Sequence, residues 1–525
     1  MSERRQADPS RTAPVGRPTP SGEPASERAA PPESAESGPH AASASPDAPP
    51  APTFAPLHLP VRTSEVLGEA PKFDALALEK RYGNGDLIDL LDAFGIVGPL
   101  RVESPWELRD GEDRHLIHGG GYAAVPFGER YEPLVSFIHD YLEKDRSLGL
   151  PQQSAAAWRA ALEANLVALL ASVAPTHADD RVFFTNSGAE AVETALKMAR
   201  AARPNASVFV NFGRAYHGKT HGALALTPNE EYQEAFRPLA PEVLTLPYGD
   251  AATLRDALQQ HAKRICAIVV EPVQGEGGVV TPPEGYLAEL GRLAREHGVL
   301  VIADEIQTGL GRTGHWFASV AAGLDPDVVT LAKPLGGGIV PVGATIARKP
   351  IYRALLHGLA AKRHSTTFGG GSLAMAVGAK SLELAVDEDL PRRSAEAGRY
   401  GLERLRALAE RYPNLLEEVR GAGMLFAFVL RPVVGFKVPG VSEEDVQTLA
   451  AALFMREMHL GGVHGCYSTN ASRTARLTPP MNLPWPLVVE LFDRVDEVAR
   501  RNPRSFTLLQ RFPLPRLMRL AKIAL

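Results

Sequence analysis

The sequence predicts an α/β protein, with a mostly parallel central sheet wrapped by helices and a smaller α+β domain after it. Three observations carry this. Between roughly 155 and 350, short β-branched runs alternate with amphipathic stretches, and strands buried on both faces that alternate with helices belong to parallel sheets. After about 390 the alternation gives way to long charged helices and isolated strand patterns. Before about 65, Pro, Ala, Ser and Glu dominate and large apolar side chains are scarce.

In chain order, residues 1–65 are expected to be a disordered tail, because such a composition buries too little surface to offset its ordering entropy. Residues 66–150 become globular and are expected to contribute to the smaller domain. Residues 151–390 form the large domain. Its strands are expected at Arg181–Thr185, Ser207–Phe212, Ile265–Glu271, Val299–Asp304, Val328–Ala332 and Val342–Ala347, with helices such as Glu190–Arg200 and Tyr286–His297 between them. Residues 391–500 form the smaller domain, with helices over Arg392–Arg411, Glu443–Met458 and Leu487–Arg500 and strands over Met424–Leu430 and Thr474–Leu477. From Arg500 to Leu525 there are seven basic residues and no acidic ones. Arg516, Arg519 and Lys522 recur among Leu517, Leu520 and Ile523, so residues 501–525 end in a basic amphipathic helix. Such a helix can lie on an anionic membrane surface or dock on the protein body, and docking is the expectation.

The 525 residues, 45% of them hydrophobic and 22% charged, are enough for two or three domains with sizeable cores. A net charge of −5 over that length gives no reason to expect a nucleic-acid partner. Two cysteines, Cys266 and Cys466, are too few for a disulfide framework or a cysteine-rich metal site, and no metal is expected. No apolar run is long enough to span a bilayer. Acidic residues (Glu3, Asp8, Glu23, Glu27) speak against an organellar leader. The expected location is cytoplasmic.

The chemistry gathers where strands end. Val299–Glu305 is a buried run that stops at the carboxylates Asp304 and Glu305, and Val328–Lys333 stops at a lysine followed by Pro-Leu-Gly-Gly-Gly. Ligands of open α/β sheets bind beyond the carboxyl ends of strands. A lysine amine and an acid in one crevice suit imine chemistry, and an ordinary buried ion pair explains the two alone equally well. A third element decides between them. Phe183–Glu190 runs from a strand into a helix start, where Ser187 and Glu190 fit a capping box. The same start, with Gly188 permitting close approach, is also a phosphate site. A phosphate site, an amine and a ring-nitrogen partner are the three contacts of pyridoxal phosphate.

From about Trp106 to Pro480 the chain resembles the class III (ω-amino acid) aminotransferases of the pyridoxal-phosphate fold type I superfamily. The motifs that carry the likeness are Ser187-Gly-Ala-Glu-Ala191, Tyr216-His-Gly218, Glu271-Pro-Val-Gln-Gly-Glu276, Ala303–Gly314, Ala332-Lys-Pro334 and Thr367-Phe-Gly-Gly370. The resemblance implies that Lys333 is the Schiff-base lysine and proton shuttle, and that Asp304 pairs with the pyridine nitrogen. Gln307 would bond the ring hydroxyl, Tyr216 would stack on the ring, and His217 and Glu271 would support the cofactor. Ser187, Gly188 and Ala189 would hold the phosphate, which Thr367 would reach from the neighbouring subunit of a homodimer with shared active sites. Arg476 would grip a substrate α-carboxylate, with Glu276 as its partner when an ω-amine enters, and Tyr122 lies in the loosely matched N-terminal substrate segment. Gly371-Ser372, where the family usually has Asn-Pro, and Val192, where Asn is common, depart from the pattern.

The function implied is ping-pong transamination between a small amino donor (ornithine, acetylornithine, putrescine or 4-aminobutyrate) and 2-oxoglutarate. A racemase or epimerase on the same scaffold and a non-catalytic cofactor-binding protein are the alternatives, since lysine chemistry alone does not set the outcome.

Overall fold

The computed structural model describes residues 59–67, 73–433, 443–468 and 470–524. Most of the expected tail, residues 1–58, lies outside them. The chain divides into two units, one up to Phe73 and one from Asp74 to Leu525. In the first, the described residues contain one helical turn, Thr63–Val66, where the Arg62 N–H donates to the Glu65 carboxylate at 2.6 Å.

The second unit is built on a seven-stranded sheet. Its strands in chain order are β1 (Arg181–Thr185), β2 (Val208–Phe212), β3 (Glu242–Leu246), β4 (Ile265–Val270), β5 (Leu300–Asp304), β6 (Val328–Leu331) and β7 (Gly343–Ala347). They lie side by side in the order β1-β7-β6-β5-β4-β2-β3. All neighbours are parallel except β7, which runs antiparallel to β1 and β6. Every residue of β2, β4 and β6 is buried, because alternate side chains enter different cores. Val208, Val210, Ile268 and Val270 pack with Leu287, Leu290 and Leu293 of helix Tyr286–Glu296. Phe209, Ala267, Val269 and Ile302 pack with Val192, Leu196 and Ala199 of helix α1 (Gly188–Ala202). Each fully buried side chain of this kind contributes about 1.5–3 kcal/mol. The edge strand β3, Glu-Val-Leu-Thr-Leu between Pro241 and Pro247, was not among the expected strands and is largely half-exposed.

Two smaller sheets complete the unit. Leu416–Ala422, Leu425–Leu430, Thr474–Leu477 and Cys466–Tyr467 pair antiparallel. Arg101–Ser104, Glu107–Arg109 and His115–His118 form a meander to which Val463–His464 adds in parallel, Val463 opposite Ile117. Helices Leu390–Arg411 and Trp485–Arg501 cover the former sheet, with Leu405, Leu408, Phe492 and Val495 against Phe426 and Phe428.

The basic C-terminal helix, Leu514–Ala524, docks on the protein body. Arg519 reaches Asp89 at 2.7 Å and Asp92 at 2.9 Å on helix Gly85–Phe94, and Arg516 donates to the Asp92 carbonyl. Leu517 and Leu520 pack on the core beneath it. No described helix is long and apolar enough to cross a membrane.

Candidate active site

Parallel strands end at one rim of the large sheet, and a cavity of about 210 Å³ opens there. It is lined by Gly188 and Ala189 after β1, by Tyr216, His217, Gly218 and Lys219 after β2, and by Glu271, Val273 and Glu276 after β4. Asp304, Ile306, Gln307 and Thr308 come from the end of β5, and Ala332 and Lys333 follow β6.

Residues 304 and 305 show how strand periodicity sorts side chains. Asp304 faces the cavity while Glu305, its neighbour, turns to the opposite side, where Ser319 N and Oγ both donate to it at 2.6 Å. Asp304 accepts from His217 Nδ1 at 2.7 Å, from Ile306 N at 3.1 Å and from Thr330 Oγ1 at 3.2 Å. Burial works to lower the His217 pKa, but Asp304 and, more weakly, Glu271 outweigh it and hold His217 above its ordinary value. Glu271 is itself fully enclosed and accepts the Tyr216 N–H at 3.1 Å. Burial pushes its carboxyl up to about 7, with nearby Asp304 adding to the rise and His217 opposing it.

Lys333 opens the turn Lys333–Gly336. Burial holds its amine below the ordinary lysine value, assisted by Arg476 and opposed by Glu276, Asp304 and Glu271. The effect raises the fraction of free amine able to attack a carbonyl.

At the start of α1, Ser187 Oγ accepts from Glu190 N at 3.2 Å, and Glu190 returns to Asn186 N at 2.7 Å. The reciprocal cap thus reaches one residue further back than a capping box over Ser187 requires. The N–H groups of Gly188 and Ala189, first in the helix, have no intrahelical acceptor and border the cavity. Two glycines keep the space open. A side chain at Gly188 would meet Ile306 Cδ1 at 2.9 Å, and one at Gly275 would fall on the Gln307 carboxamide.

A buried ion pair closes the other end. Arg476 and Glu276 are both buried, and Arg476 Nη2 lies 2.7 Å from each Glu276 oxygen. Arg476 Nη1 adds Gly275 O at 3.0 Å and Gln307 Oε1 at 3.3 Å. Gln307 Nε2 donates to Glu276 and to the Tyr122 carbonyl, each at 3.3 Å. The Arg476 guanidinium stands 5.7 Å from the Tyr122 ring, whose backbone takes a positive φ of 51°.

Residues 106–480 match the family of class-III aminotransferases. The chain belongs to that family. Class-III aminotransferases are pyridoxal-phosphate-dependent enzymes of the α/β fold described above. Similar solved structures include an ornithine aminotransferase from Toxoplasma gondii ME49, 25% identical with a TM-score of 0.70, matched over 82% of this chain and 97% of that one. An acetylornithine aminotransferase from Elizabethkingia anophelis is 27% identical with a TM-score of 0.63, over 81% and 97%. A pyridoxal-phosphate-bound amine transaminase from an uncultivated Pseudomonas species is 26% identical with a TM-score of 0.68, over 77% and 95%.

Among the site residues expected for this class-III aminotransferase, the structure gathers Gly188, Ala189, Tyr216, His217, Glu271, Glu276, Asp304, Gln307 and Lys333 around the cavity, with Arg476 and Tyr122 behind it. Ser187 is exposed beside the cavity, at the cap. Thr367 is exposed and does not line the cavity of its own chain; its carbonyl accepts from Gln152. Lys219 and Thr330 went unnoticed in the sequence. Lys219 follows the Tyr-His-Gly motif directly and stands 3.6 Å over the Tyr232 ring, placing a cation at the cavity. Thr330 is visible only through strand register, opposite Asp304. Among the described residues, no group of His, Cys, Asp and Glu could hold a metal ion.

The donor set fits pyridoxal phosphate. An enclosed carboxylate already bonded to a histidine, a lysine with a depressed pKa and two helix-start N–H groups without an intrahelical acceptor border one space.

Proposed function

We propose that this class-III aminotransferase transfers an amino group from an ω-amine or amino acid to 2-oxoglutarate, with Lys333 as the lysine that carries pyridoxal phosphate. The observation that supports it best is the meeting of Lys333, Asp304 and the start of α1 at one cavity. The bound cofactor supplies an electron sink for the pair released when a substrate C–H bond breaks.

In this reading the chain's own groups do the rest. Gly188 and Ala189 hold the phosphate through their N–H groups, supported by the positive end of the α1 dipole. Asp304, oriented by His217 and Thr330, keeps a proton on the ring nitrogen. Tyr216 lies on the ring face, with the Glu271 carboxyl holding its N–H. Gln307 bonds the ring hydroxyl. Lys333, whose amine burial holds below the ordinary lysine value, moves the proton at the substrate carbon. Arg476 grips the carboxylate of the oxo acid when Glu276 releases it, and the pair stays closed for an amine without an α-carboxylate. Thr367 acts on the phosphate of a second subunit in a homodimer, and the enzyme works in the cytoplasm. The ornithine, acetylornithine and amine transaminases among the similar structures support the ω-amine class of donor.

The test is the visible absorption of the purified enzyme with L-glutamate, then with a panel of ω-amines, then with 2-oxoglutarate. Transamination predicts a band shift by amine that 2-oxoglutarate reverses and that Lys333→Ala abolishes. A band that no amine shifts would favour a racemase or a non-catalytic binder, and no band at all would remove the cofactor assignment.

A further inference from the structure

Arg312 is fully buried and has no part in the chemistry above. Its Nη1 donates to the carbonyls of Met424, at 3.3 Å, and Pro479. Among the described residues nothing accepts from its Nε or Nη2. Burial alone pushes its pKa down, to about 9, with no carboxylate acting against the shift. An enclosed cation without a counter-charge is costly. An apolar side chain would fill the space at lower cost, so packing does not account for an arginine here.

What the side chain grips does account for it. Pro479 lies three residues beyond Arg476, just past strand Thr474–Leu477. Thr478, between them, is fastened to the chain just before Tyr122: its N–H donates to Gly119 O at 2.7 Å and its hydroxyl to Gly120 O at 2.9 Å. Gln307, five residues before Arg312 in the same loop, meets Arg476 Nη1 at 3.3 Å. The loop therefore holds one strand end at two places, at the guanidinium of Arg476 and at the carbonyl of Pro479.

The loop is stiff enough for this. Gly309 N bonds Glu305 O at 2.9 Å, Leu310 N bonds Trp316 O at 2.7 Å, and Gly311 N bonds His315 O at 3.1 Å. Met424 N donates to Arg312 O at 2.9 Å, and Gly423, at φ 53°, lies so close that a Cβ there would meet Arg312 O at 2.4 Å.

We infer that Arg312 is a positioning residue: its grip on the Pro479 and Met424 carbonyls sets where Arg476 stands against Gln307 and Glu276. It thereby governs binding of the dicarboxylic oxo acid more than binding of the amine. The inference rests on the carboxylate role proposed for Arg476.

The experiment measures 2-oxoglutarate KM, kcat and the rate of the amine half-reaction for holoenzyme variants Arg312→Lys and Arg312→Gln, beside Arg476→Lys. Glutamine is included because it keeps an amide donor without a buried charge and so tolerates the site if lysine does not fold. The expected result is a KM for 2-oxoglutarate raised about tenfold, or about 1.4 kcal/mol, with the amine half-reaction within about twofold of wild type. The double variant Arg312→Lys with Arg476→Lys then adds little to Arg476→Lys alone, because the two act through one contact. If Arg476→Lys raises the KM while the Arg312 variants only lower thermal stability, or slow both half-reactions alike, the positioning role is overturned. If Arg476→Lys leaves the KM unchanged, the carboxylate role of Arg476 falls, and that of Arg312 with it.

Discussion

Replacing Glu276 by Gln removes the negative charge opposite Arg476 while keeping the side chain's size. In the wild type, Arg476 Nη2 lies 2.7 Å from both Glu276 oxygens, with both side chains buried. The amide offers one acceptor oxygen where the carboxylate offers two, so the exchange removes one hydrogen bond to a guanidinium that stays charged. A bond to a charged group contributes about 1.5–3 kcal/mol, which weakens the internal hold on Arg476 about 10–150-fold. A substrate carboxylate must displace residue 276 to reach Arg476, so its affinity should rise by that factor, and an ω-amine without an α-carboxylate should gain nothing. The variant should also be less stable, by less than the roughly 3–5 kcal/mol of an abandoned buried charge, because Gly275 O and Gln307 Oε1 still accept from the guanidinium. Rapid-mixing absorbance of the L-glutamate half-reaction gives the apparent dissociation constant. Glutamate binding that is unchanged or weaker in a folded variant would refute the competition between Glu276 and substrate.

Other outcomes are expected. Glu271 has its folded pKa raised to about 7 from 4.5, so its contribution to stability is complete below about pH 4.5 and is lost as pH rises toward 7. In Glu271→Gln that loss, on the order of 3 kcal/mol, should vanish from denaturation curves of the cofactor-free chain; an unaltered slope over this window would contradict the assignment. Arg519→Glu sets like charges against Asp89 and Asp92, and should expose residues 513–524 to limited proteolysis; added salt should do the same more weakly to the wild type. Mixing inactive Lys333→Ala with inactive Thr367→Arg chains should restore about a quarter of wild-type activity if sites are shared, since half the dimers are mixed and each has one intact site. No recovery after verified subunit exchange would place Thr367 outside the neighbour's site.

The sequence made the interior strands legible because both of their faces are buried: all six residues of Ile265–Val270 are apolar or small and all are enclosed. It did not reveal β3, whose Glu242 and Thr245 face solvent at the sheet edge, nor Leu416–Ala422, where Glu417, Glu418 and Arg420 obscure the alternation. Strand direction left no trace either, since Gly343–Ala347 reads as one more buried run although it points the other way. At the site, residues at strand ends were readable because the end of an apolar run marks the rim of the sheet. Contacts across the sheet were not, and the pairing of His217 with Asp304 joins residues distant in sequence and needs the β2–β4–β5 neighbourhood to exist. Thr367 shows the complementary limit, because its own chain gives it no place at the cavity.

The reversed strand β7 has a consequence for synthesis. It is the only link between β1 and the rest of the large sheet among the described residues, with Gly343 set opposite Thr185 and Ala344 opposite Leu331. The phosphate-binding start of α1 emerges from the ribosome early, yet its strand has no neighbour until Ala347 has been made. Until then the edges of β1 and β6 stay open to stray pairing. A nascent chain halted before residue 343 should hold the lysine turn and the helix start apart, unable to retain the cofactor, whereas release of a few dozen more residues should let them close on it together.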